Sequence, residues 1–229
     1  MSYAWREDSD KIADELQTAF QNVGITIIRD KTHLKYKDNI KKFMEWIGRG
    51  NCVLLVISDK YLRSPNCMFE LIEIAKNGDF YDRIFAIVLP DATGIYDPTK
   101  ILEYIVYWEQ KENELDEAMR KVSSQANLQG IREKRDLYNQ IRTEFARLID
   151  EIQKMDNQNL DFHRQEDFET IIQAVQKQLK RTDTEKNSPL ENSNPLASPQ
   201  IIQNFNGPVY GVAGNVQGNL INQKESKLT

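Results

Sequence analysis

Glu70 has the clearest claim to chemistry in this chain. It stands in the stretch Ser58-Asp-Lys-Tyr-Leu-Arg-Ser-Pro-Asn-Cys-Met-Phe-Glu70-Leu71, which follows the apolar run Cys52-Val-Leu-Leu-Val-Ile57. The segment around it otherwise reads as the buried face of a helix. A lone carboxylate there is costly unless it lines a cleft. It also falls just past the carboxyl end of an expected parallel strand, where open α/β sheets bind ligands. A second reading is structural: a carboxylate in the first turn of a helix is favoured by the macrodipole. The residues alone leave both open.

Other chemistries lack their residues. Two cysteines, Cys52 and Cys67, are too few for a disulfide framework or a zinc site, and their apolar surroundings predict buried free thiols. His33 and His163 are far apart, without metal-ligand spacing, and are expected at the surface; no metal is expected. No Gly-x-Gly-x-x-Gly and no Gly-x-x-x-x-Gly-Lys occurs, which removes support for dehydrogenase and NTPase readings.

The elements that must position Glu70 follow from periodicity. Ile12, Ala13, Leu16, Ala19 and Phe20 predict an amphipathic helix over 8–22, stopped by Gly24. The β-branched run 25–28 predicts a strand, 29–38 a charged loop, and 38–48 a second helix. Residues 52–57 and 84–89 are continuous apolar runs of the kind buried on both faces. Between them a loop over 58–66 leads into a helix over 66–76. Alternation of such strands with helices implies a parallel sheet. Residues 104–108 read as an edge strand. A helical insertion follows over about 110–160, broken near Gly130, with Leu137, Ile141, Phe145, Leu148, Ile149 and Ile152 in helical phase. It is read as a solvated helix packed on the domain edge or as a partner-binding helix. A last helix is expected over 165–181, with Phe168, Ile171, Ile172, Val175 and Leu179 as its buried stripe.

The bulk numbers exclude some partners. With 229 residues and a net charge of −5, the chain has room for one domain and an appendage, and it lacks the basic balance of a nucleic-acid binder. No apolar run reaches the length of a membrane span. No basic-then-apolar leader opens the chain.

Taken together, these residues resemble the TIR (Toll/interleukin-1 receptor) family. Ser2-Tyr-Ala-Trp5 is similar to its first box, Arg29-Asp30 to its second box and BB loop, and Ser58 through Tyr61-Leu-Arg-Ser-Pro-Asn-Cys67 to Glu70-Leu71 to its Ser–Tyr–Ser–Cys–Glu-Leu segment. The resemblance covers about 1–108, with 165–181 as the fifth helix, and bacterial members look closest. It implies an α/β flavodoxin-like fold, a parallel sheet flanked by helices, over 1–181. It also implies cleavage of NAD+ at the nicotinamide–ribose bond, with NAD+ as substrate and no further cofactor. Glu70 takes the catalytic position. Tyr3, Trp5, Arg6, Asp30, Ser58 and Phe69 take the substrate-binding positions. Nicotinamide leaves from a cationic ring without a general acid, so what develops is positive charge on the ribose, which one carboxylate can stabilise. The setting implied is a cytoplasmic effector of bacterial immune or cell-death signalling, activated by self-association through TIR–TIR contacts. The alternative is a non-enzymatic adaptor working through those contacts alone. The chain departs from the pattern twice. The strand normally running into Ser2-Tyr3 is expected to be missing, and Asn66 stands where enzymatic members often carry Trp.

The end of the chain has a different character. Residues 182–200 are rich in Ser, Asn, Pro and Glu and are expected to be a disordered linker. Residues 201–222 hold a pseudo-palindrome: about Val212–Ala213, Gly211 mirrors Gly214, Val209 mirrors Val216, Gly207 mirrors Gly218 and Asn206 mirrors Asn219. It resembles the amyloid signalling motifs related to the RHIM type, which implies cross-β assembly with a matching motif on a sensor protein. The other reading is a disordered tail.

Overall fold

Among the residues described by the computed structural model (1–5, 7–29, 40–123, 128–155 and 159–187), three parallel strands form one sheet. Strand β1 (Ser2–Tyr3) pairs with β2 (Val53–Ile57), which pairs with β3 (Ile84–Val88). Ser2 lies opposite Leu55, and Val53 through Ile57 lie opposite Ile84 through Val88. All five residues of β2 are buried, as a central strand covered on both faces requires. Its side chains alternate. Val53, Leu55 and Ile57 join one hydrophobic cluster, and Leu54 and Val56 join the other.

The second cluster is filled by α1 (Glu7–Asn22), through Ile12, Leu16 and Phe20, and by α9 (Glu169–Asn187), through Ile171, Ile172 and Val175. Gly24, at φ 78°, ends the turn after α1. On the opposite face lie α2 (Ile40–Gly48), the one-turn α3 (Asp59–Leu62), α4 (Pro65–Lys76) and the short α5 (Phe80–Arg83). A 3-10 stretch, Pro90–Tyr96, then leads to two long helices, α6 (Pro98–Arg120) and α7 (Gln129–Gln153). A short α8 (Leu160–Gln165) precedes α9. No helix among the described residues is long and apolar enough to cross a membrane.

Several expectations are corrected. The first strand is present: Ser2 and Tyr3 form it, and the Met1 ammonium donates to the Ile28 carbonyl at 2.6 Å. Residues 25–28 form no strand. A two-residue β1 is too short to carry a second ladder on its other edge, although Ile27 still packs inside. The expected loop 58–66 contains the turn of helix α3.

Residues 104–108 are helical. Asp97 caps α6 by accepting from the Thr99 amide at 2.8 Å, and Pro98 occupies its first position. Tyr104 and Trp108, one turn apart, face inward, and Val106 faces out. The break between α6 and α7 precedes Gly130, which lies in the first turn of α7. Ile141, Phe145, Leu148, Ile149 and Ile152 are fully enclosed, so α7 is part of the core rather than a solvated appendage. Pairs Glu112–Arg142 and Asp116–Arg135 show α6 and α7 running antiparallel.

The last helix starts at Glu169, four residues later than expected, and the separate α8 precedes it. Asp167 (φ 48°) and Phe168 (φ 62°) adopt left-handed backbone and separate α8 from α9. His163 is buried, stacked on Phe168 with ring centroids 6.4 Å apart, and burial pushes its imidazole pKa down. Helix α9 continues to Asn187, into the expected linker. The rest of the linker and the motif at 201–222 lie outside the described residues.

Candidate active site

Strand β2 ends at Ile57, and two successive caps then set the direction of the chain. Ser58 Oγ accepts from the Tyr61 amide at 3.1 Å and starts α3. Ser64 Oγ accepts from the Cys67 amide at 3.3 Å and starts α4, with Pro65 in its first turn. Glu70 is thus in the second turn of α4. The macrodipole acts within the first turn, so it does not explain a carboxylate at this position.

The Glu70 side chain turns toward the sheet and is 6% exposed. Ser2 Oγ donates to Glu70 Oε2 at 2.6 Å, and the Tyr61 hydroxyl lies 3.1 Å from Ser2 Oγ. An ionised carboxylate only accepts, and a serine hydroxyl has one proton. The chain of donation therefore runs from Tyr61 to Ser2 to Glu70. Burial, then the charge of Glu70, then Cys67 push the Tyr61 phenol well above its ordinary pKa, so it stays a donor. Cys67 Sγ lies 3.9 Å from the Tyr3 carbonyl, and Cys67 is a buried free thiol, as expected; Cys52 is only half-buried.

A second polar cluster holds α6 against α3. The Arg63 guanidinium lies over the rings of Tyr104 (4.8 Å) and Tyr107 (4.9 Å) and donates to Asp59 at 3.0 Å. The Tyr104 hydroxyl donates to Asp59 at 2.7 Å, and Trp108 Nε1 donates to the Leu62 carbonyl at 3.2 Å. Burial first, then the bond to Asp59, raises the Tyr104 pKa.

The other expected site residues are spread around Glu70 unevenly. Ser58 is buried, and its hydroxyl is occupied as a helix cap. Tyr3 alternates with Ser2 along β1, so its ring belongs to the cluster on the α1 and α9 face of the sheet, opposite Glu70. Trp5 is half-exposed, and its carbonyl accepts from Lys60. Phe69 lines a groove with Asn66, Met44 and residues of α7. Arg6 and Asp30 lie outside the described residues. Sequence reasoning placed Glu70 but missed its two partners. Ser2 was visible as part of a motif, but nothing local ties it to a carboxylate 68 positions on.

A parallel sheet covered by helices on both faces, with a serine-held carboxylate beyond its central strand, defines a flavodoxin-like α/β domain. The chain belongs to the TIR domain family, which it matches over residues 1–122. No curated protein and no solved structure matches it.

Proposed function

We propose that this TIR domain cleaves NAD+ at the bond between nicotinamide and ribose, with Glu70 as the catalytic residue. The observation that carries the reading is the Ser2–Glu70 bond of 2.6 Å, backed by Tyr61. It holds a nearly enclosed carboxylate on a rigid helix, as a group that meets a developing ribose cation must be held. In water-poor surroundings, one such charge acts more strongly than in bulk solvent. Nicotinamide departs with the bonding electron pair as a neutral molecule. The ribose cation left behind is captured by water or by a hydroxyl of the ADP-ribose moiety.

In this reading the protein is a bacterial immune or cell-death effector working in the cytoplasm. TIR–TIR contacts bring copies together, and the pseudo-palindrome at 201–222 templates assembly from a sensor with a matching motif. The adaptor reading is favoured by one observation: Asn66, exposed at the start of α4, stands where enzymatic relatives often carry an aromatic ring. The experiment mixes the full chain with NAD+ at rising protein concentration and follows nicotinamide by chromatography. Release that climbs more steeply than protein concentration supports an assembly-activated enzyme. No release from assembled protein leaves the adaptor. A peptide covering 201–222 is expected to form thioflavin-positive fibrils, and a scrambled peptide is not.

A further inference from the structure

At Phe69, the residue before Glu70, a groove of about 440 Å³ opens between α2, α4 and α7, within the size range of small-molecule pockets. Helix α4 contributes Asn66 and Phe69, and α7 contributes Glu133, Lys134, Asp136 and Gln140. Helix α7 begins at Gln129, beyond the 1–122 stretch matched by the family. Six of the nine residues lining this groove therefore lie beyond the stretch that the family match covers.

We propose that the groove binds the adenosine half of the dinucleotide; the assignment rests on the NAD+ reading above and names a subsite for it. Consecutive helix residues point about 100° apart, so the groove and the Glu70 side chain are adjacent sides of one helix. Asn66 is one turn before Glu70, so a ligand with its ribose at Glu70 reaches the groove around the start of α4.

The lining chemistry suits a purine nucleoside. Phe69 offers an aromatic ring for stacking, with Met44 and Leu137 as further apolar wall. The amides of Asn66 and Gln140 each carry a donor and an acceptor, the pair that an adenine edge needs. Glu133 and Asp136 are acceptors for ribose hydroxyls. Glu133 accepts from Gln129 at 3.1 Å and Asp136 from Arg135 at 3.1 Å, and a carboxylate has capacity beyond one such bond. Lys134 supplies the cation for the adjoining phosphate, whereas two carboxylates make the groove a poor site for phosphate alone. Asn66 thus has a role that an indole at the same position would not fill.

The test uses the full chain with adenosine monophosphate as probe, followed by calorimetry, and Gln140→Leu and Lys134→Glu as variants on the half-buried and exposed parts of α7. Adenosine monophosphate binds the wild type, and each variant weakens it about tenfold, the loss of roughly one good polar contact. Ribose 5-phosphate competes poorly. In turnover, both variants raise KM for NAD+ by a similar factor, with kcat unchanged. Nucleotide binding without any nicotinamide release upholds the subsite and removes the catalytic reading. Nicotinamide release with unchanged KM in both variants overturns the subsite, as does equal competition by ribose 5-phosphate.

Discussion

Ser2 donates its hydroxyl proton to Glu70 at 2.6 Å, joining the first strand to the fourth helix across 68 positions of sequence. Both groups are buried. Ser2→Ala removes a donor from an enclosed carboxylate and the acceptor of the Tyr61 hydroxyl. The expected loss is about 1–3 kcal/mol in urea unfolding, the cost of leaving a buried polar group short of a partner. A change smaller than about 0.5 kcal/mol, the range of ordinary surface substitutions, contradicts the bond.

Tyr61 and Tyr104 make stability fall in alkali. Burial raises both phenol pKa values, with Glu70 adding to the first and Asp59 to the second. An unfolded tyrosine ionises near pH 10. The stability these residues contribute is therefore complete below about pH 10 and declines as pH rises from there toward the folded values. Unfolding free energy measured from about pH 8 to about pH 11.5 should show that decline, and Tyr61→Phe should flatten it. Tyrosinate absorbance showing all nine tyrosines of the folded chain ionising together near pH 10 would overturn this prediction.

Arg63 is a flat cation between two rings, so lysine is a poor replacement. Arg63→Lys keeps the charge but loses stacking on Tyr104 and Tyr107 and the planar approach to Asp59. Its expected cost is about 1–2 kcal/mol by chemical denaturation, close to that of Arg63→Ala. Full rescue by lysine means that charge alone matters at this joint.

Much of the frame was legible in the sequence because the signals were local. The five apolar residues of β2 and the spacing of Ile12, Leu16 and Phe20 each act over a few positions. Glu70 was legible as a carboxylate in an apolar pattern. The misreadings have physical causes. Residues 104–108 are aromatic and β-branched, and a run that short does not separate strand from helix. The Asp97 cap and Pro98 carried the deciding signal. The break between α8 and α9 depends on two non-glycine residues in left-handed backbone, which no composition marks. His163 is buried by Phe168, whose backbone N–H donates a hydrogen bond back across that break to the His163 carbonyl at 2.7 Å. Ser2 and Tyr61 became site residues only once β1 and α3 were docked on either side of Glu70.

The proposed activity depends on Glu70. Glu70→Gln preserves shape and the ability to accept from Ser2 while removing the negative charge. Nicotinamide release from NAD+ should be measured for the wild-type full chain and for this variant at the same assembled concentration, with circular dichroism confirming equal folding. Release by the wild type is expected, with a loss of at least about a hundredfold in the variant, the scale of removing one preorganised electrostatic contact. Equal release by both proteins, or none from the wild type, would contradict this expectation.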